Sequence, residues 1–350
     1  MSAIRSPAST PAAMNPFASA CTSYLNCAAV TSDQVPSAVL RRSMTLDGCS
    51  AARRVTKSAV FADAGISASA GMLYSRKCLS VLRPPESMFY LMRVHVVSDV
   101  HGAADALKTA AEGADMMICL GDMLLFLDYA DHTQGIFSEL YGAEHAKEYI
   151  DLRTARRFDE ARALTAGIAA RLTADRGTDL RTLTEQAIRK QYAELFGALA
   201  EPAYLTYGNV DVPRLWDTYR KPGHQVIDGG RAVVDGVTFG FVGAGLISPY
   251  RTPNEVPPAE YAEKLDAVGA VDVLCTHIPP AVPELLYDVQ ARRMETGSTA
   301  LLEVIRRTQP RYAFFGHVHN PLVRRVRIGR TECVNVGHFR ATRIPYVVEL

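Results

Sequence analysis

The sequence predicts an α/β fold over about residues 92–350, and three observations predict it. A β-branched run at 93–98, a helical pattern at 103–112 and a second apolar run at 114–120 have the order of a βαβ unit. Helical periodicity then extends from about residue 144 to 199, with mixed charges typical of a solvated helix face. After residue 203, strand-like runs resume and helical patterns separate the later ones, which is the alternation of an α/β protein.

The later elements follow the same signals. A hairpin is predicted near the C-terminus, where Gly329 and Arg330 form the turn between 322–328 and 332–336. Helices are predicted at 259–268 and 299–307. The remaining predicted strands are 203–207, 225–228, 237–242, 271–276 and 311–315.

Residues 1–91 differ from the rest of the chain. They contain nine basic and four acidic residues, are rich in Ala and Ser, and show no sustained periodicity. This composition fits an organellar transit peptide, a disordered tail, or translation from an upstream start codon with Met92 as the true first residue. Because composition alone identifies transit peptides with many false positives, we favour the last two. We therefore predict a disordered or non-native extension at 1–91 and one folded domain at 92–350.

Whole-chain properties exclude several classes of protein. The net charge of +1 lacks the basic excess of a general nucleic-acid binder. No apolar run approaches the ~18 residues of a membrane-spanning helix, since the longest, 116–127, contains Gly121 and Asp122. Seven cysteines without close pairing do not indicate a disulfide framework. We therefore expect a cytoplasmic protein that does not associate with membranes.

Side chains suited to metal binding follow five of the predicted strands. The carboxyl ends of strands in open α/β sheets border the crevice where ligands bind, so these side chains are expected to meet there. Each short motif alone occurs by chance, but five in order, each after an apolar strand, indicate a metal site. A set of N and O donors without a thiolate suits Mn, Fe or Zn. The candidate ligands are Asp99, His101, Asp122, Asn209, His277, His317 and His319.

In order, these residues stand in the motifs SDVHG, LGD, GNVD, CTHIPP and GHVH. The set resembles that of the calcineurin-like metallophosphoesterase superfamily, whose pattern is D-x-H, G-D, G-N-H-D/E, a strand-end His and G-H-x-H. The resemblance covers about residues 92–340. It implies a four-layer α/β/β/α sandwich with a binuclear metal centre at the strand ends.

The resemblance also implies how the ligands are shared. Asp99, His101, Asp122 and His319 would hold one divalent ion, whereas Asn209, His277, His317 and the shared Asp122 would hold the other. Two such ions leave a net positive site for a phosphate, and a water between them becomes a hydroxide nucleophile near neutral pH. Mn, Fe and Zn all suit the ligands, and we expect Mn to support activity best.

The sequence departs from the family pattern at Val210, where many relatives carry a His that stabilises the reaction and protonates the leaving group. Valine can do neither, and a general acid is commonly worth ~10²–10⁴ in rate. His338 is a candidate substitute, although a surface residue is an equal alternative for a lone His. The residues after Asp122 lack the continuation found in protein phosphatases, which argues against protein substrates.

Two further features are expected to flank the site. The 87 residues from Asp122 to Asn209 exceed the ~30 of a βαβ unit, so we predict a helical cap or dimerisation insertion at about 130–200. In the polar loop at 248–255, Arg251 could bind a substrate phosphate in a bidentate manner, or could be a solvated loop residue.

The predicted function is metal-dependent hydrolysis of a small phosphodiester or phosphomonoester by a metal-bridging hydroxide. Asp122, Asn209 and His338 are the predicted catalytic residues, and Asn209 and Arg251 are predicted to bind substrate. Two alternatives stay open: an inactive scaffold or binding protein on the same fold, and a nuclease. The near-neutral domain offers little charge for binding a nucleic acid, which disfavours the nuclease.

Overall fold

A computed structural model describes residues 91–177 and 179–350. The predicted extension at 1–91 lies outside the described residues, apart from Leu91. Within the described part of the chain, no helix is both long enough and apolar enough to cross a membrane.

Strands and helices alternate through the described residues, as the α/β prediction requires. In chain order the strands are β1 (Arg93–Val97), β2 (Met116–Cys119), β3 (Ala203–Leu205), β4 (His224–Val226), β5 (Gly230–Val234), β6 (Val237–Val242), β7 (Gly245–Leu246), β8 (Glu255–Val256), β9 (Val273–Thr276), β10 (Tyr287–Asp288), β11 (Arg293–Met294), β12 (Tyr312–Phe315), β13 (Arg325–Ile328), β14 (Thr331–Asn335) and β15 (Tyr346–Glu349). The helices are α1 (Ala104–Ala110), α2 (Ile136–Tyr141), α3 (Ala143–Thr154), α4 (Phe158–Arg176), α5 (Leu180–Ala198), α6 (Pro213–Trp216), α7 (Pro258–Val268), α8 (Pro283–Leu286), α9 (Thr299–Thr308) and α10 (Phe339–Thr342).

Two larger sheets organise these elements. The first has the strand order β15-β1-β2-β3-β4, with β1 to β4 parallel and β15 antiparallel at one edge. The second has the order β13-β14-β12-β9-β6-β5, with four parallel central strands and an antiparallel strand at each edge. The mixed α/β class is therefore confirmed. The parallel central strands end at a common edge of each sheet, which is where the candidate ligands follow.

Three hydrophobic clusters hold the sheets and helices together. One contains side chains of both sheets, such as Ile118 from β2 and Phe241 from β6. A second joins the first sheet to α1, α2 and α5, and the third joins the second sheet to α7 and α9. Strands β2 and β9 are buried at every position, which explains why the sequence shows them as continuous apolar runs rather than alternating ones.

Local signals set the ends of several helices. The Asp179 side chain accepts a hydrogen bond from the backbone N–H of Arg181 and caps α5, and Ser298 caps α9 by accepting from Leu301. Helix α2 begins and ends at Gly135 and Gly142, whose φ angles of +96° and +91° favour glycine. Helices α2 to α5 occupy residues 136–198, so helix begins about eight residues earlier than predicted from periodicity.

Candidate metal centre

The seven candidate ligands follow the carboxyl ends of strands from both larger sheets. Asp99 and His101 follow β1, Asp122 follows β2 and Asn209 follows β3, all in the first sheet. The histidines at 277, 317 and 319 follow β9 and β12 of the second sheet. The structure brings all seven side chains together in two adjoining groups, described next.

The first group consists of Asp99, His101, Asp122 and His319. The Nε2 atom of His319 lies 3.4 Å from Oδ1 of Asp99 and 3.2 Å from Nε2 of His101. The Nε2 atom of His101 lies 4.0 Å from Oδ1 of Asp99 and 3.8 Å from Oδ2 of Asp122. Both carboxylates are buried, so each is held away from water among imidazoles.

The second group consists of Asn209, His277, His317 and the same Asp122. Nε2 of His277 lies 2.9 Å from the Asn209 amide oxygen, and Nδ1 of His317 lies 2.8 Å from it. Oδ2 of Asp122 is 3.5 Å from Nε2 of His277. One carboxylate oxygen of Asp122 therefore borders both groups.

Hydrogen bonds outside the centre orient these donors. Nδ1 of His101 and Nδ1 of His277 each lie 2.9 Å from a backbone carbonyl, that of Leu124 and Leu120 respectively. A carbonyl oxygen can only accept, so Nδ1 of each ring donates and Nε2 is the nitrogen that faces the centre. Nδ2 of Asn209 donates to the Thr252 hydroxyl at 3.1 Å, which turns the amide oxygen toward the imidazoles.

The same contacts show whether a cation fits these residues. Two imidazole nitrogens face one amide oxygen, and two Nε2 atoms face each other at 3.2 Å. Lone pairs at these distances repel one another unless a proton or a cation lies among them. Imidazole, carboxylate and amide oxygen donors in this arrangement therefore suit divalent cations such as Mn, Fe or Zn.

The backbone at the centre is held in an uncommon conformation. Asp99, His101, Asp122 and His317 all have positive φ, between 40° and 67°. Such values are uncommon outside glycine and persist where the surrounding structure enforces them. The loops also approach closely, since a Cβ added at Gly208 would lie 2.0 Å from Oδ1 of Asp122. The fold itself therefore holds the ligands in place.

Comparison with known proteins agrees with this geometry. The family model described as calcineurin-like phosphoesterase matches residues 92–321, about two thirds of the chain. This chain belongs to the calcineurin-like phosphoesterase family. The predicted resemblance is thereby confirmed, and the family indicates a hydrolase that uses metal ions to cleave phosphoesters.

Solved structures give more distant matches. One crystal structure is 16% identical, covers 74% of this chain and 99% of its own, and has a TM-score of 0.46. GAP50, the anchor in the inner membrane complex of Plasmodium, is 11% identical, with coverage of 71% of this chain and 72% of its own and a TM-score of 0.32. No curated protein matches this phosphoesterase.

Asp211 is a residue of this candidate centre that sequence reasoning missed. Its buried carboxylate accepts backbone N–H groups from Asp122 at 2.8 Å, Met123 at 3.0 Å and Gly208 at 2.8 Å. Burial and the charge of Asp122 raise the pKa of Asp211 to about 7, against the N–H donors that favour the carboxylate. Asp211 thus ties the Asp122 loop to the Asn209 loop. Its position in the GNVD motif was the sequence signal that could have identified it.

Charges within the centre shift the ligands' pKa values in opposite directions. Burial lowers the pKa of His277, but the Asp122 carboxylate outweighs it and raises that pKa to about 9. Burial, with the charge of His277, lowers the pKa of His317 to about 4. Burial alone would raise the pKa of Asp99, but the hydrogen bond and charge of His319 lower it. A metal ion bound here therefore competes with a proton on His277.

His338 lies beside the first group. Its ring stacks on His319 with centroids 3.9 Å apart, and its buried Nε2 has no hydrogen-bond partner among the described residues. Its ring nitrogen is close enough to those of His101 and His319 for the three to share one ion. Burial and the two neighbouring imidazoles lower its pKa to about 3, so the ring is neutral at pH 7 in the free protein. A bound anionic phosphate would raise that pKa.

Arg251 is exposed, and its side chain forms no hydrogen bond or ion pair with the described residues. The 248–255 loop instead reaches the centre through Thr252, which contacts Asn209, and through Asn254, whose amide donates to the Gly208 carbonyl at 3.0 Å. The role predicted for Arg251 stays a prediction. Thr252 is a further contact that the sequence did not indicate.

Proposed function

We propose that this chain hydrolyses small phosphodiesters or phosphomonoesters at a binuclear metal centre. The observation that carries the proposal is the position of Asp122, whose Oδ2 lies within 4 Å of a histidine from each donor group. A bridging carboxylate of this kind can keep two ions ~3.5–4 Å apart, the spacing of two-metal hydrolases. Mn, Fe or Zn would be held by Asp99, His101, Asp122 and His319 on one side and by Asn209, His277, His317 and Asp122 on the other.

When bound, two divalent ions supply positive charge for the phosphate and lower the pKa of water between them. The residues of this chain position the ions, the phosphate and the water. Asp122 fixes the separation of the two groups, and the hydrogen bonds of Asp211 fix Asp122. Asn209 orients the phosphoryl group, and His338 supplies a proton to the leaving oxygen.

The remaining proposals concern the surroundings of the centre. The three hydrophobic clusters support a four-layer α/β/β/α arrangement, because helices pack on one face of each sheet and both sheets contribute to the cluster that contains Ile118 and Phe241. Helices α2 to α5 lie between β2 and β3 in sequence and support a cap insertion. We also propose a cytoplasmic location, and a homodimer formed through these helices.

The test is turnover of bis(p-nitrophenyl) phosphate and p-nitrophenyl phosphate by the purified full chain, loaded in turn with Mn, Fe and Zn. We expect release of p-nitrophenolate that depends on metal and is greatest with Mn. Metal binding without turnover of any ester would contradict the proposal in favour of the binding-protein alternative. Cleavage of oligonucleotides that is faster than that of the small esters, and weakened by salt, would favour the nuclease.

His338 provides a separate prediction. We expect His338→Gln to lower kcat by about 10²–10⁴-fold for an ester with an alkoxide leaving group, because that oxygen must be protonated as it leaves. For p-nitrophenyl esters, whose leaving group needs no proton, we expect less than about a tenfold loss. Steady-state kinetics on both ester types measures the difference.

The matched control is His145→Gln on α3, where the histidine is half-buried and its Nδ1 lies 4.0 Å from Oε2 of Glu148. This control should leave both rates unchanged. Equal losses for both leaving groups, together with the loss of one metal ion per chain, would show that His338 is a ligand instead of a proton donor.

A further inference from the structure

A group of aromatic and basic side chains lies where helix α3 meets the 248–255 loop. We call it the tyrosine–arginine cluster; its members are Tyr129, Tyr149, Arg153, Tyr250 and Arg293. The Arg153 guanidinium carbon lies 4.9 Å from the ring centre of Tyr250, 5.3 Å from that of Tyr149 and 5.9 Å from that of Tyr129. The Arg293 guanidinium carbon lies 5.0 Å from the Tyr250 ring. The cluster thus places two cations against the faces of three tyrosines.

Arg153 has few of its hydrogen bonds satisfied. One terminal nitrogen donates to the Tyr149 hydroxyl at 3.3 Å, whereas its Nε is buried without a partner. Within the described part of the chain no carboxylate pairs with it, in contrast to Arg293, which donates to Glu295 at 2.6 Å. A guanidinium has five N–H donors, and leaving a partly buried one without an anion is costly.

The Tyr250 hydroxyl is also buried, and no residue in the described part of the chain forms a hydrogen bond with it. Of the three tyrosine rings, that of Tyr250 is the closest to the Arg153 guanidinium, so two side chains that each carry an unpartnered polar atom lie against each other. A hydroxyl and a guanidinium both donate hydrogen bonds, and phosphate oxygens accept them. What the cluster lacks is an anionic acceptor.

Contacts join the cluster to the metal centre on two sides. Tyr250 is two residues from Thr252, a span of at most about 7 Å, and the Thr252 hydroxyl accepts from Asn209. On the other side Tyr129 follows Asp128, whose carboxylate accepts from Arg340 at 2.9 Å. Arg340 in turn donates to the carbonyl oxygen of His101 at 2.8 Å. The cluster is therefore linked to both donor groups of the centre through Thr252 on one side and through Asp128 and Arg340 on the other.

We propose that Arg153 binds a second phosphate group of the substrate while the first lies at the metal centre. This proposal rests on the proposed function, and it narrows the substrate class to organic molecules with two phosphate groups. The guanidinium would hold two oxygens of the second phosphate in a bidentate manner, and Tyr250 would donate to a third. A substrate with a single phosphate would leave these donors unpaired.

The alternative is that Arg153 only packs the helices against the loop through its tyrosine contacts. Such contacts stabilise a fold and need no ligand. The two roles predict different effects of Arg153 on the relative affinities of ligands. Packing affects the stability of the protein, whereas a phosphate site changes the affinity ratio of ligands with one and two anionic groups.

The experiment uses phosphonates, because their C–P bonds resist hydrolysis during a binding measurement. Calorimetry on the metal-loaded full chain compares butane-1,4-bisphosphonate and octane-1,8-bisphosphonate with the monophosphonates of the same chain lengths. We expect at least one bisphosphonate to bind about 10- to 100-fold more tightly than its monophosphonate, as charge-assisted hydrogen bonds imply. In Arg153→Gln we expect this ratio to fall to about one, with Arg153→Lys intermediate because it keeps the charge but loses the planar fork.

Arg157→Gln is the matched control, since Arg157 lies in the same helical region, is exposed and pairs with Glu160. It should keep the wild-type ratio. No preference for either bisphosphonate in the wild type, or a preference that survives in Arg153→Gln, would overturn the proposal. Turnover of bis(p-nitrophenyl) phosphate by the same samples separates the two proposals. Turnover without the preference contradicts only the second phosphate site, and the preference without turnover contradicts only the proposed hydrolysis.

Discussion

Replacing Asp122 by Asn should abolish both metal binding and hydrolysis. Its Oδ2 lies 3.8 Å from Nε2 of His101 and 3.5 Å from Nε2 of His277, so removing its charge weakens both donor groups at once. We expect the metal content to fall from about two ions per chain to less than one. We expect kcat/KM to fall by at least about a thousandfold, which corresponds to the loss of roughly 4 kcal/mol of transition-state stabilisation.

The measurements are metal analysis of the purified chain and turnover of bis(p-nitrophenyl) phosphate. Asp235→Asn is the matched control, because Asp235 has nearly the same backbone conformation, with φ of 49° against 52°, but lies exposed in the turn between β5 and β6. The control should keep two ions and full activity. Normal turnover in Asp122→Asn would contradict the bridging role and the binuclear proposal with it.

Removing the metal ions from the wild-type protein should have the second largest effect. Without a cation, buried Asp99 and Asp122 and the facing nitrogens of His101 and His319 lose the charge that holds them together. We expect a chelator to stop turnover and to lower Tm by on the order of 5–10 °C, since saturation at a hundred times Kd stabilises a fold by about 2.7 kcal/mol. Added Mn should restore both.

Thermal unfolding followed by circular dichroism, with and without chelator, measures this change. Asp122→Asn is the control here, because a chain that cannot hold its ions should show little response of Tm to the chelator. An unchanged Tm and unchanged turnover in the depleted wild type would show that this chain does not use the centre to bind metal.

Much of the fold could be predicted from the sequence because its strands are fully buried. The apolar runs at 114–120 and 271–276 predicted β2 and β9 to within two residues at each end. The short pairs β7–β8 and β10–β11 could not be predicted, since two-residue strands carry no periodicity and depend on distant partners. Helix α2 was missed because its ends are set by the backbone of Gly135 and Gly142.

The candidate ligands could be predicted for a different reason. Carboxylates and imidazoles that directly follow parallel strands are brought to one edge by the topology, whatever the side chains around them. Asp211 and Thr252 were not predicted, because their contacts join segments about 40 to 90 residues apart and depend on how the loops pack. Arg153 was not predicted either, because its contact with Tyr250 depends on how α3 packs against the 248–255 loop. The unpaired state of Arg153 is likewise visible only once its neighbours are in place.

The origin of the ligands in both sheets has a mechanical consequence. Four of them follow strands of the first sheet and three follow strands of the second, and the two sheets also share the apolar cluster that contains Ile118 and Phe241. Bound cations would link the two sheets at one edge of their apolar interface. Separating the sheets would then break coordination bonds as well as expose apolar surface to water. With metal bound, the two sheets would unfold together. Without metal, the interface between them would open first at the edge where the ligands lie.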